Sequence, residues 1–142
     1  MLFEAAPQVD IREQSPLSLA FVGDAVLELL VRQRLVETTR LLPGKLHTAA
    51  TRYVSARAQS RELELLEPVL TEEEAGVLRR GKNASKATVA KHATPREYRA
   101  STGFECLLGY LYLKGRNDRI VELFELVWQG FDPDAPQNPA AE

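Results

Sequence analysis

The sequence predicts an all-α fold built as a helical bundle, and three observations lead to this prediction. Apolar residues recur every three or four positions in several segments, which is the spacing of one helix face. No segment shows the alternation of apolar and polar residues that marks a half-buried strand. Helix-start signals occur at Ser15-Pro16, at Thr71 and at Thr94, the last two with a glutamate three residues later.

The first predicted helix extends from Leu17 to about Thr38 and is apolar on nearly every face. A helix of that kind lies at the centre of a bundle or is buried against a partner. The LLPG motif at residues 41–44 is expected to end it. Residues 45–60 are then predicted as a second amphipathic helix, and a leucine-rich run follows that ends at Pro68.

Three further helices are predicted in the second half of the chain. They begin after Thr71, at Thr94 and at Asp118, and they end near Gly81, at Gly115 and at Gly130. The segment from Gly81 to Ala93 lies between the first two helices and is small, polar and basic. A loop of that length in a compact domain is typically functional or disordered.

The composition limits the class of protein. A chain of 142 residues can bury a full core, and we expect one domain over residues 1–130 with a flexible tail over residues 131–142. The single cysteine, Cys106, excludes an internal disulfide framework and a cysteine-based zinc cluster. No apolar run reaches the roughly 18 residues of a membrane span. We therefore expect a cytoplasmic protein with no membrane partner.

The charge is unevenly distributed along the chain. The formal net charge is −2, which taken alone argues against a nucleic-acid partner. Residues 79–99, however, carry seven of the 18 Lys and Arg residues and one acid, Glu97. Because phosphates respond to the nearby potential, screened over roughly 8–10 Å, this segment can bind a polyanion. The alternative is a charge run that is only solvated.

Two acidic residues lie next to or near glycines inside apolar helices: Asp24 follows Gly23, and Glu105 lies in STGFECLLGYLYL. A buried, unpaired carboxylate is costly, so it shifts its pKa or finds a partner. One interpretation pairs Asp24 with a base such as Arg32 and uses Gly23 for the close approach of another helix. In the other, two carboxylates on two core helices hold a divalent cation such as Mg²⁺, which keeps room for water and phosphate oxygens.

Four motifs, which follow one another along the chain in the order that the family shows, resemble those of the ribonuclease III family. The signature helix of that family resembles LAFVGDAVLELLVRQRL, and its second motif resembles STGFECLLGYLYL. The small bacterial branch, the Mini-ribonuclease III enzymes, is most similar, through KLHTAATRYVSARAQS, RRGKNAS and the TPREYR that precedes the second motif. This branch lacks the double-stranded-RNA-binding domain of the longer enzymes. The resemblance covers residues 16–128.

The resemblance implies which residues carry the reaction. The signature aspartate of the family falls on Asp24 and the second-motif glutamate on Glu105. Both are therefore expected to be catalytic, to ligate Mg²⁺, with Mn²⁺ as a substitute, and to organise the attack of water on an RNA phosphate. The longer enzymes have two further acids, at the positions of Ala20 and Thr102 here, and the Mini enzymes lack these acids too.

The resemblance also implies partners. The signature helices, residues 17–38, are expected to pack together in a homodimer whose valley holds duplex RNA. Such enzymes cut both strands with a stagger, leaving 5′-phosphate and 3′-hydroxyl ends, and the Mini branch matures the precursor of large-subunit (23S) ribosomal RNA, with a ribosomal protein as a candidate helper. The residues predicted to contact RNA are Arg79, Arg80, Lys82, Asn83, Ser85, Lys86 and Lys91.

Two other functions fit parts of the sequence. A catalytically inactive ribonuclease III-like domain would bind structured RNA without cleaving it, but it has no reason to keep both embedded acids. A helical protein-interaction module would not bind RNA and leaves the basic segment unexplained. We therefore predict a Mg²⁺-dependent endoribonuclease for double-stranded RNA, with an RNA affinity that falls steeply with salt.

Overall fold

The computed structural model describes residues 6–86 and 93–135. Over these ranges the chain forms α-helices and short 3₁₀ turns without any strand, which confirms the all-α prediction. The helices are α1 (Pro16–Thr38), α2 (Pro43–Val54), α3 (Ala56–Leu66), α4 (Glu72–Ala84), α5 (Pro95–Leu113) and α6 (Asn117–Gly130). The 3₁₀ turns are Ile11–Glu13 and Glu67–Val69. No helix in the described ranges is long and apolar enough to cross a membrane.

Helix α5 lies at the centre of the bundle. Eleven of its nineteen residues are buried, and it packs against α1, α3, α4 and α6. Its largest fully buried side chains, Leu107 and Leu108, join a single core with Leu27 of α1 and Leu63 of α3. The rest of the bundle is therefore arranged around α5.

The predicted helix starts are confirmed. The Ser15 hydroxyl accepts a hydrogen bond from the Ser18 amide at 3.1 Å, with Pro16 at the first helical position. Thr71 and Thr94 each form a capping box with the glutamate three residues later. These bonds satisfy amides that have no partner inside their own helix, so each helix begins where the sequence indicates.

Two predicted boundaries are wrong. The amphipathic segment 45–60 is not one helix, because Ser55 adopts an extended conformation (ψ 154°) and its hydroxyl accepts from the Ala58 amide as the N-cap of α3. Helix α4 does not close near Gly81 but continues to Ala84. Gly81 is a packing residue, since a Cβ built on it would lie 2.7 Å from the Cβ of Cys106 on α5.

The predicted tail begins with residues that contact the bundle. The ring of Phe131 lies 5.8 Å from the ring of Tyr53, edge to face, and Asp134 forms an ion pair with Arg52 at 2.6 Å. Residues 136–142 lie outside the described part of the chain. The boundary at residue 130 stays a prediction.

The backbones of α1 and α5 touch where the two helices cross. A Cβ built on Gly23 would overlap the carbonyl oxygen of Glu105, and one built on Gly109 would overlap the carbonyl oxygen of Leu19. Both obstacles are main-chain atoms, so no side-chain rotation can relieve the overlap. Glycine is required at both positions for this close approach.

We predict that Gly23→Ala destabilises the fold by roughly 3 kcal/mol or more, because the methyl group forces the two central helices apart. The measurement is the free energy of unfolding from denaturant titration. Gly44→Ala in α2 is the matched control, since nothing lies within 4 Å of a Cβ built there. We expect that variant to be unchanged or slightly more stable. Equal stability of Gly23→Ala and wild type would contradict the close approach.

One carboxyl group is enclosed in the core without a partner. Glu62 of α3 is 0% exposed, and among the described residues neither of its carboxyl oxygens has a hydrogen-bond partner. Burial raises the pKa of Glu62 to about 8. The folded protein therefore holds this side chain as a neutral acid at neutral pH.

We predict that Glu62 makes wild-type stability fall as the pH rises. In the unfolded chain the group loses its proton above its ordinary pKa of 4.5, whereas the folded chain keeps the proton up to about pH 8. Rising pH in this window therefore favours unfolding, by a total on the order of a few kcal/mol.

The measurement compares the unfolding free energies of wild type and Glu62→Gln between pH 4.5 and pH 8. The variant should gain stability relative to wild type across this window, while other groups contribute equally to both proteins. Glu64→Gln, an exposed position on the same helix, is the control and should show no such gain. If the difference in unfolding free energy between wild type and Glu62→Gln does not change with pH, the raised pKa of Glu62 is refuted.

Candidate active site

The crossing of α1 and α5 brings the two predicted catalytic acids together. Asp24 follows Gly23 on α1, and Glu105 is the residue whose carbonyl oxygen faces Gly23. The carboxyl of Asp24 lies within hydrogen-bonding reach of the carboxyl of Glu105. Two residues that are far apart in sequence thus share one site because their helices are in backbone contact.

The surroundings of Glu105 disfavour its negative charge. Burial, together with the hydrogen bond and the charge of Asp24, raises the pKa of Glu105 to about 8. Of the weaker influences, the side-chain amide of Gln59 lowers this pKa and the charge of Glu28 raises it. None of these neighbours is a cation, so the site concentrates negative charge without compensating it.

The expected burial of Asp24 is wrong. Asp24 is exposed in the single chain, and Glu105 is the half-buried member of the pair. Arg32 does not pair with Asp24 either, because its guanidinium binds Glu28 at 3.0 Å, four residues earlier on the same helix. That i,i+4 pair gives Glu28 the structural role that its spacing predicts.

Two converging carboxylates fit a hard divalent cation. Mg²⁺ is typically held by one or two protein carboxylates and keeps several waters, and a cation between Asp24 and Glu105 would offset the charge repulsion described above. Within residues 6–86 and 93–135, no group of three or more His, Cys, Asp and Glu side chains could enclose a metal ion. Two carboxylates occupy only some of the positions around Mg²⁺, so this donor set leaves room for waters and a substrate oxygen.

The two positions at which the longer enzymes have further acids are not part of this donor set. Ala20 is 8% exposed and Thr102 is 7% exposed. The Thr102 hydroxyl lies 3.1 Å from the carbonyl oxygen of Tyr98 and 3.2 Å from the hydroxyl of Ser85. Ser85 is the C-cap residue of α4. This contact therefore holds the C-terminal end of α4 against α5 at Thr102, which lies one helical turn before Glu105.

The predicted RNA-contacting residues lie at the C-terminal end of α4. Arg79, Arg80, Asn83 and Lys86 are exposed, and Lys82 and Ser85 are half-buried. Because α4 continues to Ala84, Lys82 and Asn83 are helical rather than part of a flexible loop, which corrects the predicted segment from Gly81 to Ala93. The ammonium group of Lys82 binds Glu67 at 3.2 Å. Lys91 lies outside the described residues.

Gln59 of α3 is a residue at this site that the sequence did not reveal. It is 3% exposed, and its side-chain amide lies close enough to Glu105 to lower the pKa of that carboxyl. In the sequence it is one polar residue in an amphipathic segment, where a glutamine normally belongs to the solvent-facing side. The only available signal was its position four residues after Ser55, on a face of α3 that also carries the buried Ala58 and Leu63.

Comparison with known proteins identifies the family. The profile of the Ribonuclease III domain matches residues 17–116, a range that contains both Asp24 and Glu105. The chain belongs to the ribonuclease III family. A protein named Mini-ribonuclease 3 from Symbiobacterium thermophilum is 50% identical over 110 residues, which are 78% of this chain and 85% of that protein. Mini-ribonuclease 3 from Brevibacillus brevis is 48% identical over 111 residues, covering 78% and 83% respectively.

A solved structure has the same fold. The crystal structure of a protein from Fusobacterium nucleatum superposes with a TM-score of 0.77 and 30% identity, covering 85% of this chain and 97% of that one. The resemblance to the Mini branch of the ribonuclease III family is therefore confirmed. The protein is an endoribonuclease of a family that acts on double-stranded RNA.

Proposed function

We propose that the protein is a Mg²⁺-dependent endoribonuclease in which Asp24 and Glu105 hold the metal, with Mn²⁺ able to replace Mg²⁺. The observation that carries this proposal is the meeting of the two carboxyls at the α1–α5 crossing, where burial and the neighbouring Asp24 raise the pKa of Glu105 to about 8. A pair of acids kept so close without a cation is unfavourable on its own, and a bound cation makes it favourable.

Glu105 and Asp24 have different roles in the proposed hydrolysis of the phosphodiester bond. A bound Mg²⁺ supplies positive charge to the phosphate and acidifies water for the attack. Glu105, on the central helix, holds its carboxylate at a fixed place, and exposed Asp24 lies on the side from which a substrate can approach. The water oxygen gives up a proton and bonds to phosphorus while the bond from phosphorus to the 3′ oxygen breaks. The leaving 3′ oxygen takes up a proton from solvent, so the products carry 5′-phosphate and 3′-hydroxyl ends.

We propose that the cationic residues at the end of α4 bind the RNA backbone. Arg79, Arg80 and Lys86 are exposed, and duplex RNA is recognised through phosphates and 2′-hydroxyls. Lys82, Asn83, Ser85 and Lys91 complete the proposed set. Since phosphate contacts release counterions, the affinity should fall steeply with salt concentration.

The proposed cellular substrate is the precursor of 23S ribosomal RNA, in the cytoplasm, as part of ribosome biogenesis. Support for it comes from the relatives named Mini-ribonuclease 3, because the resemblance to that branch implies this task. A ribosomal protein that presents the RNA is the proposed helper.

We further propose a homodimer formed through α1. Its inner face packs on the core through residues such as Leu27 and Val31, while its outer face carries exposed apolar side chains. The exposed residues are Leu17 (44%), Phe21 (82%), Leu29 (53%) and Val36 (64%). They share one stripe of the helix because they are spaced by four, eight and seven residues, and an apolar stripe of this kind marks an association surface. A dimer with two sites accounts for a staggered cut in both strands.

We predict that Asp24→Asn and Glu105→Gln each lower the cleavage rate of duplex RNA roughly 100-fold or more, because each loses one charged metal ligand. RNA binding measured in EDTA should stay within a few-fold of wild type. The readouts are a gel assay with and without Mg²⁺ and a filter-binding titration.

Glu28→Gln is the matched control on α1, since Arg32 occupies that carboxylate, and its cleavage rate should stay within a few-fold of wild type. Cleavage by Asp24→Asn and Glu105→Gln at the wild-type rate would reject the proposed metal site. Binding without cleavage by the wild-type protein would instead identify an inactive RNA-binding domain.

We predict that Phe21→Glu weakens the dimer at least tenfold, because it places a charge at the most exposed apolar residue of the stripe. The measurement is the molar mass by light scattering over a dilution series. Val121→Glu on α6 is the control, since Val121 is also apolar and 51% exposed but lies on another helix. A Phe21→Glu protein that dimerises like wild type would exclude this face.

A further inference from the structure

Gln59 contacts the candidate site from α3 and is anchored at the corner between α2 and α3. Its side-chain nitrogen Nε2 donates a hydrogen bond to the carbonyl oxygen of Val54 at 2.9 Å. Val54 is the last residue of α2, where carbonyl groups lack a partner within their own helix. The side chain is 3% exposed, so it has little freedom to move away from this corner.

The hydrogen bond to Val54 also fixes which end of the amide points where. Only the nitrogen end can face a carbonyl oxygen, because two acceptor oxygens repel one another. The amide nitrogen carries two hydrogens, so one donor remains after the bond to Val54 is made. The Glu105 carboxyl lies within hydrogen-bonding reach of this side chain and is an acceptor when ionised.

The oxygen end of the Gln59 amide shows that this side chain is not there for packing alone. Among the described residues, the Oε1 atom of Gln59 is buried and has no hydrogen-bond partner. A leucine or methionine at this position would avoid that cost, so the amide is unfavourable for packing alone. In return, the glutamine donates a hydrogen bond to Val54 and keeps its remaining donor within reach of Glu105.

We propose that Gln59 is a positioning residue that holds the Glu105 carboxylate in the orientation in which it grips the metal ion. This role rests on the proposed function of Asp24 and Glu105. A hydrogen bond from an anchored donor restricts the rotation of a ligand carboxylate and favours its ionised form, which is the form that binds metal. Helix α3 thus contributes to the site through a residue that acts on Glu105.

A role limited to capping α2 is the competing explanation. Such a cap would stabilise the fold and leave the metal affinity unchanged. Metal affinity, measured directly and well below the melting temperature, therefore separates the two roles.

The test measures Mn²⁺ binding by the electron paramagnetic resonance signal of the free ion, in the absence of RNA. Gln59→Met keeps the length of the side chain and removes the donor, and it should weaken Mn²⁺ binding about 10–100-fold. The kcat for duplex cleavage at a fixed, limiting Mg²⁺ concentration should fall by a similar factor while the KM for RNA stays unchanged. Gln59→Asn keeps the amide but is one methylene shorter, and it should show the same change in a smaller degree.

Ser55→Ala is the matched control for stability. It removes the N-cap of α3 at the same corner without reaching Glu105, so it should lower the melting temperature and bind Mn²⁺ like wild type. If both Gln59 variants bind Mn²⁺ within twofold of wild type while Asp24→Asn and Glu105→Gln bind it weakly, the role of Gln59 is rejected and the metal site stands. If the two acid variants also bind Mn²⁺ like wild type, the proposed metal site and the role of Gln59 are both rejected.

Discussion

The contact between the backbones of α1 and α5 is the constraint on which the rest of this structure depends. Gly23 and Gly109 permit it, because a side chain at either position would overlap a carbonyl oxygen of the facing helix. The contact brings Asp24, one residue after the first glycine, beside Glu105. The pairing of glycine and acid within one apolar helix thus has a single physical reason: the glycine brings the helices together, and the acid occupies the edge of the crossing.

The two acids with strongly raised pKa values show how differently burial can be used. Glu62 is fully enclosed, and among the described residues its carboxyl has no hydrogen-bond partner, so its state of lowest free energy is the neutral acid. Glu105 is half-buried and faces a second carboxyl, so a cation can reach it and relieve the repulsion. Both acids have a similarly raised pKa, so the pKa does not distinguish them. Glu105 is the candidate metal ligand because a cation can reach it, whereas the enclosed Glu62 only lowers the stability of the fold at higher pH. The proposed metal site follows from this difference.

The helix starts and the fold class could be predicted because their causes are local. A capping box joins residues three positions apart, and helix periodicity repeats within a few residues, so a short window contains the whole interaction. The break at Ser55 is local as well, but serine without a glutamate three residues later is a weak signal inside an amphipathic segment. The end of α4 could not be predicted, because a glycine can either end a helix or allow it to pack closely. Only the position of Cys106 on α5 shows that Gly81 does the second.

The sequence by itself determined the helical class, the capped helix starts and the pair of acids that matches a known family, since residue type and short spacing carry that information. Tertiary structure alone decided that Asp24 is exposed and that Gln59 and Glu62 point inward. Each of these depends on which face of a helix meets another helix. A polar residue in an amphipathic segment looks the same in sequence whether its side chain ends in water or beside a carboxylate in the core.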